Sequence, residues 1–274
     1  MKKGTFSNFL LILVLLLGLS LLLYPTFSEH WNAKRQSRVI STYSDSVAHM
    51  DENKYAQVWD AAIRYNQDLL TRHNTFSLTE EQQTIYYDQL NVSGDGIMGY
   101  IEIPSINCLL PIYHTVEEPV LQMAVGHLEW TSLPTGGEGT HAVLSGHRGL
   151  PSARLFTDLD QLREGDRFML HILDELLTYE VDQILIVEPQ ETAALLIQPG
   201  MDLCTLVTCT PYGVNSHRML IRGHRVANAP EAVVMRVTAD AIQIEPLIIA
   251  PIIAGFLFAF LLVLLGIRDR IKNR

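Results

Sequence analysis

Three side chains in this sequence are of the types that acyl transfer through a thiolate requires. Cys209 stands between two threonines at the end of an apolar run, and Arg218 follows nine residues later. His147 closes a separate apolar run, within the sequence Ser-Gly-His-Arg-Gly. A thiolate attacks a carbonyl carbon, an imidazole moves protons, and a fixed cation stabilises the charge that develops on the carbonyl oxygen. The three residues therefore predict a cysteine-dependent acyl-transfer site.

The other two cysteines have different surroundings. Cys108 and Cys204 lie in apolar runs and are expected to be small buried hydrophobic residues. The odd number of cysteines also allows one disulfide and one free thiol. A metal or redox site built on Cys204 and Cys209 is disfavoured, because their separation of five residues places them on opposite faces of an extended strand.

The sequence offers other candidates for the roles of His147 and Arg218. The chain has ten histidines, and His217 is the strongest competitor of His147 because it adjoins Arg218. Arg148 and Arg222 are the alternatives to Arg218. A guanidinium keeps its proton, so whichever arginine serves acts as a donor and not as a base.

The elements that must position these residues are short strands. From Gly94 onward, β-branched and aromatic runs alternate with Gly and Pro, a pattern typical of strands. Eight short strands over this length indicate a sandwich or small barrel rather than a βαβ fold. Short helices are expected near 120–125 and 192–197. The predicted strands are 98–103, 109–113, 141–145, 167–173, 177–187, 203–208, 218–221 and 233–237.

The segment before the strands is predicted to be helical, because apolar residues from His30 to about Asn91 recur at spacings of three and four. Thr79 and Gln82 have the spacing of a capping box at a helix start. A short polar connection at 73–77 precedes that helix.

Two apolar runs at the ends of the chain are candidates for membrane spans. The run 9–24 follows Lys2 and Lys3. It could be a cleaved signal peptide, but the absence of a small-x-small cleavage site after it favours an uncleaved anchor. The run 247–267 precedes a basic tail, 268–274. The positive-inside rule then places both termini in the cytoplasm and the region between the spans outside the cell membrane.

These observations predict six segments along the chain. They are a cytoplasmic tip and membrane anchor (1–28), a helical region (29–92), a β-barrel or sandwich (93–228), a last strand or linker (229–246), a transmembrane helix (247–267) and a basic cytoplasmic tail (268–274).

The charge of the chain excludes one class of partner. The formal net charge is −10, and the region outside the basic termini holds 14 basic against 29 acidic side chains. A domain this acidic is a poor binder of nucleic acid.

Longer motifs resemble those of the sortases, the cysteine transpeptidases of Gram-positive surfaces, and above all the class C, pilus-assembly branch. The resemblance runs from about Gly94 to Arg225. Besides the sequences around His147 and Cys209, it rests on the segments 94–104, 126–129, 131–134 and 155–159.

The resemblance implies a mainly β fold, a closed eight-stranded barrel preceded by helices and flanked by two transmembrane helices. It implies that Cys209 is the nucleophile, that His147 rather than His217 is the general acid and base, and that Arg218 binds the substrate carbonyl. No cofactor or metal is implied. The candidates for lining the substrate groove are His127, Thr208 and Leu133.

The implied reaction cleaves a Leu-Pro-x-Thr-Gly-like (LPxTG-like) sorting signal of a pilin or surface protein through a thioester, and then transfers the acyl group to an amine. In class C that amine is a pilin lysine, and the predicted second span and helical N-terminal region favour this class. The alternatives are a wall-anchoring sortase that uses the amine of a cell-wall precursor, a cysteine peptidase, and a non-catalytic cysteine-containing binding module.

Two departures from the class C pattern concern access to the site. Class C sortases generally carry a lid in which an Asp-Pro-aromatic tripeptide covers the cysteine, and this sequence contains no Asp-Pro dipeptide. Phe76 is the nearest candidate for the aromatic lid residue, although it could equally be a packed residue of a helix connection. Trp130 stands where a small residue is typical.

Overall fold

A computed structural model describes residues 3–71, 76–228 and 255 of the chain. The predicted strand at 233–237, the linker at 229–246 and the basic tail at 268–274 lie outside the described residues. The predicted second span at 247–267 also lies outside them, apart from Gly255.

Eight strands close into a barrel, as the family resemblance implies, in the order β1-β2-β3-β4-β7-β8-β6-β5. The pairs β2–β3 and β4–β7 are parallel and the other pairs are antiparallel. The strands are β1 (Ile97–Ile103), β2 (Cys108–His114), β3 (Val125–His127), β4 (Thr140–Ser145), β5 (Arg167–Ile172), β6 (Glu175–Val187), β7 (Asp202–Thr210) and β8 (His217–Val226).

The eight strands differ from the predicted eight in one member. Strand β3 is not among the predicted strands, since its three residues include a glycine and show no alternation, and its first residue falls in the short helix predicted at 120–125. A helix of four residues, α4 (Glu118–Leu121), lies before it rather than at 120–125. The other predicted short helix is a single 3-10 turn at Ala193–Leu195.

Alternate side chains of each strand fill the barrel. In β7, Cys204 and Leu206 point inward and are fully buried. Cys209 has the opposite parity and is partly exposed. The predicted placement of Cys204 and Cys209 on opposite faces is therefore confirmed.

Three helices precede the barrel, α1 (Lys3–Ala48), α2 (Glu52–Thr71) and α3 (Glu80–Asp88). The capping box at the start of α3 is confirmed, since the Thr79 side chain accepts from the Gln82 backbone and the Gln82 side chain accepts from the Thr79 backbone. The hydroxyl of Tyr43 donates to the carbonyl of Met98 at 2.9 Å and accepts from the amide of Leu173 at 2.8 Å. The later part of α1 is thus tied to β1 and to the β5–β6 turn.

The N-terminal helix also carries the apolar character predicted from the sequence. Its segment Leu13–Ala48 contains an 18-residue window with a mean hydropathy of 1.4, apolar enough for a membrane span. Within the described part of the chain, one helix meets that criterion.

Candidate active site

The parallel pairing of β4 with β7 brings His147 and Cys209 to neighbouring positions. The register joins Ser145 to Val207, and each of the two candidates lies two residues further along its own chain. The contacts continue past the end of β4, because the amide of Gly146 donates to the Val207 carbonyl at 3.1 Å. The buried hydroxyl of Thr208 donates to the Gly146 carbonyl at 2.9 Å.

Arg218 lies on the other side of Cys209. The antiparallel pair β7–β8 places the two residues directly opposite each other. One guanidinium nitrogen, Nη1, donates to the carbonyls of His217 and Asn215 at 3.1 and 3.2 Å, so the side chain is held at the β7–β8 turn. A thiol, an imidazole and a guanidinium therefore occupy adjacent positions on three neighbouring strands or strand ends.

The same outer face of the barrel carries an apolar strip beside these residues. By strand alternation Val143 lies on the His147 face of β4, Val207 on the Cys209 face of β7, and Leu220 on the Arg218 face of β8. The three are buried and pack together. We call them, with the residues packed around them, the outer apolar strip. Its other members are Leu128, Trp130, Leu185, Val187, Ala194 and Leu195.

The backbone around His147 is fixed by close packing. A Cβ on Gly146 would lie 2.7 Å from the ring of Phe156, so only glycine fits there. The amide of Phe156 in turn donates to the His147 carbonyl at 3.0 Å. Gly149 has a φ of +76°, and a Cβ there would lie 2.7 Å from Tyr212 of the β7–β8 loop. The glycines that flank His147 and Arg148 are thus explained by close approaches.

An acidic residue that the sequence did not indicate also reaches the site. The Oε2 atom of Glu118 in α4 lies 3.4 Å from Nε2 of His147. Glu118 follows a loop and lies 29 residues before the histidine. No local pattern in the sequence therefore relates the two residues.

The other two cysteines are buried away from this face, and all three are free. Burial raises the pKa of the Cys108 thiol to about 12 and holds the pKa of the Cys204 thiol well above its ordinary value. Both are therefore poor sources of thiolate. The expectation that they are small buried residues is confirmed.

The predicted groove residues are all buried. His127 and Leu133 are fully enclosed and Thr208 is 1% exposed, so lining an open groove is wrong for these side chains. The reason is packing. His127 belongs to a hydrogen-bonded core network, and the Leu133 amide donates to the buried Asn66 Oδ1 at 2.7 Å. Thr208 instead positions the Gly146 backbone.

His127 connects α3 to the barrel. Its Nε2 donates to the Ser132 carbonyl at 2.8 Å, so Nδ1 accepts from the hydroxyl of Tyr86 at 2.9 Å. The Tyr86 oxygen also accepts from the amide of Thr115 at 3.2 Å. Burial lowers the pKa of His127 to about 4, and the imidazole is therefore neutral at physiological pH.

The remaining candidates are His217 and Phe76. His217 is at the start of β8, where its Nδ1 is 2.8 Å from the Ser216 hydroxyl. Phe76 packs edge-on against Trp130, with ring centroids 5.0 Å apart. The described contact of Phe76 is thus with the outer apolar strip.

Comparison with known proteins agrees with this fold. The family model of the sortase domain matches residues 101–226. The crystal structure of sortase C1 from Streptococcus agalactiae is 52% identical and has a TM-score of 0.69, with 70% of this chain and all of that chain covered. The chain belongs to the sortase family.

Further relatives support the same assignment. Sortase C of Clostridium perfringens, solved with a C-terminal cell wall sorting motif, is 42% identical with a TM-score of 0.62, over 70% of this chain and all of the other. Sortase D of Bacillus subtilis is 33% identical over 131 residues, 47% of this chain and 63% of the relative. The chain thus spans less than two thirds of that relative. The predicted likeness to class C sortases and the predicted enzyme class, a sortase-type cysteine transpeptidase, are confirmed.

Proposed function

We propose that this sortase joins a protein bearing an LPxTG-like sorting signal to a pilin lysine, with Cys209, His147 and Arg218 as its catalytic residues. One observation carries the assignment of these residues. They occupy adjacent positions on one outer face of the barrel, at the end of the outer apolar strip. A carbonyl placed over Cys209 would lie within reach of all three groups.

The reaction begins at the thiol. Cys209 gives its proton to His147, and the thiolate attacks the threonine carbonyl of the sorting signal. A C–S bond forms while the carbonyl π electrons move to the oxygen, where the Arg218 guanidinium stabilises the negative charge. The tetrahedral intermediate collapses with cleavage of the C–N bond, and the His147 imidazolium protonates the leaving glycine amine.

The second half of the reaction reverses these steps with another amine. The incoming lysine amine attacks the thioester carbonyl and loses a proton to the neutral His147. Collapse of the second tetrahedral intermediate breaks the C–S bond and regenerates the thiolate. The products are an amide bond between two proteins and an enzyme ready for another cycle.

The outer apolar strip is the proposed binding surface for the leucine and proline of the signal. Its partly exposed members offer apolar area next to the nucleophile, and burying apolar side chains there favours binding. The partly exposed members are Leu128, Trp130, Leu185, Val187 and Ala194.

A competition between two acceptors tests the proposed reaction. The full-length protein in detergent micelles would receive an LPxTG peptide together with equal amounts of a blocked lysine peptide and a triglycine peptide. We expect the amide with the lysine ε-amine to dominate in the mass spectrum, and Cys209→Ala to give no product. Predominant triglycine product would support the wall-anchoring alternative, and hydrolysis alone would support a peptidase.

We also propose that the enzyme is anchored in the cell membrane with its barrel outside and both termini in the cytoplasm. Lys2 and Lys3 precede the apolar part of α1, and the basic tail follows the proposed second span. Protease treatment of intact protoplasts should digest the barrel and leave tags at both ends intact. Loss of a C-terminal tag would contradict two spans.

A further inference from the structure

Glu118 is an exposed carboxylate at the edge of the proposed site. It begins α4, the helix between β2 and β3, and 66% of its side chain is exposed, against 26% for His147. Its Oε2 faces Nε2 of His147 at 3.4 Å. This contact joins the imidazole to a third element, besides the two strands that carry Cys209 and Arg218.

The carboxylate is held in place by its own helix. The side-chain amide of Gln122, one turn later, donates to the other oxygen, Oε1. The carbonyl of Met123 just beyond α4 accepts from the Gln36 side chain of α1 at 2.8 Å, which fixes the end of this segment. The hydrogen bonds from Gln122 and then His147 lower the pKa of Glu118, so the residue is an anion at physiological pH.

The contact distinguishes the two nitrogens of His147. Because Nε2 faces a carboxylate, which only accepts, Nε2 carries a proton. Nδ1 is then the nitrogen available for proton exchange with Cys209. An imidazolium formed by that exchange is stabilised by the adjacent anion.

We propose that Glu118 is a positioning residue for His147, which orients the ring through Nε2 and stabilises the imidazolium that forms when Cys209 loses its proton. The catalytic consequence rests on the proposed role of His147. Ionisable groups on the neighbouring segments are Cys209 and Arg218, which pair across β7 and β8, and Arg148, which lies over the ring of Tyr212 and is paired with Asp160.

A titration of His147 tests the contact without reference to activity. The full-length Cys209→Ala protein, labelled at histidine Cε1, would be titrated by NMR, with His147→Gln used to assign the signal. We expect Glu118→Gln to lower the titration midpoint of His147 by about 0.2–0.7 pH units, the range for an exposed ion pair. Glu118→Lys should lower it further, and Glu118→Asp should lower it less than Glu118→Gln.

Glu117 offers a matched control, since it is the preceding residue, equally acidic and exposed. Glu117→Gln also removes one negative charge, but it leaves the contact between Glu118 and His147 in place. Equal midpoints for Glu118→Gln and Glu117→Gln would overturn the inference.

The kinetic readout is made with the wild-type cysteine. Glu118→Gln should lower kcat by about two- to fivefold and leave KM for the sorting-signal peptide unchanged. A shifted midpoint with unchanged kcat would overturn the catalytic role of Glu118. Full activity of His147→Gln would instead refute the proposed function, while the titration would still decide whether Glu118 contacts the ring.

Discussion

Cys209 and Arg218 are directly paired across β7 and β8, one pair before the end of the ladder. The Cβ atoms of such opposed residues are about 4.5–5.5 Å apart. The distance between the thiol and the guanidinium is therefore limited by the backbone of the barrel, and not by a flexible loop.

The first prediction concerns the shape of the cation at position 218. Arg218→Lys keeps the charge but removes the planar fork of donors. Loss of a donor to the oxyanion typically lowers turnover by about 10²–10³-fold, and we expect a loss of this order in kcat/KM. Steady-state cleavage of a fluorogenic sorting-signal peptide would measure it.

Arg222→Lys is the control for this experiment. Arg222 lies four residues along the same strand face, where two of its nitrogens donate to Asp182 at 2.9 and 3.1 Å. We expect Arg222→Lys to lower kcat/KM much less than Arg218→Lys does. Comparable losses in the two variants would contradict a specific role for Arg218.

The second prediction concerns the three cysteines. Cys209→Ala should abolish the acyl-enzyme adduct with a sorting-signal peptide, whereas Cys108→Ala and Cys204→Ala should retain it. The buried pair has raised thiol pKa values and so yields little thiolate at neutral pH. Intact-protein mass spectrometry reads the adduct directly, and an adduct that persists without Cys209 would disprove the assignment.

The third prediction concerns stability in mild acid. His127 has a folded pKa of about 4, below the value of about 6.5 in an unfolded chain. The unfolded state therefore binds a proton first, and stability should fall by roughly 3 kcal/mol as the pH drops from about 6.5 to about 4. His127→Gln should lose this part of the pH dependence.

Denaturant unfolding of both proteins at pH 7 and pH 4.5 would measure the difference. His49→Gln, a change at an exposed histidine in α1, is the control and should keep the wild-type dependence. The same pH dependence in His127→Gln would show that His127 is not its source.

The fourth prediction concerns the proposed lid residue, Phe76. Its ring packs on Trp130, a member of the outer apolar strip. The same strip includes Val207, two residues before Cys209. An edge-to-face pair contributes about 0.5–1.5 kcal/mol, so Phe76→Ala should speed labelling of Cys209 by a bulky maleimide by about two- to tenfold. Trp130→Ala should have a similar effect.

Phe76→Tyr retains the ring and should label at the wild-type rate. An unchanged rate in Phe76→Ala would remove Phe76 from control of access. The absence of an Asp-Pro pair before it means that this contact is not reinforced as in the class C pattern.

The sequence predicts the elements of this fold better than their partners. Alternating runs and the capping box at Thr79 are local signals, and they identify seven of the strands and the start of α3 correctly. The parallel pairing of β4 with β7 joins segments about 60 residues apart, and no local pattern specifies that register. Strand β3 is defined by its neighbours, because three residues with a central glycine carry no pattern of their own.

Local sequence patterns are limited in the same way for the candidate site. Cys209 and His147 are visible in the sequence because each ends an apolar run, and the structure brings those run ends together. His127 has an equally distinctive motif, but its side chain is used to attach Tyr86 of α3 to the barrel. Motif strength alone does not separate the structural His127 from the proposed catalytic His147, whereas burial separates these two.

The position of β7 between β4 and β8 has a consequence for the protein's maturation. Cys209 meets His147 only when β7 has paired on one edge, and meets Arg218 only when β8 has paired on the other. The chain order makes β8 the last of the eight strands to be synthesised. In a chain whose barrel has not yet closed, the three groups of the proposed site are therefore apart, and closure of the barrel is the step that assembles them.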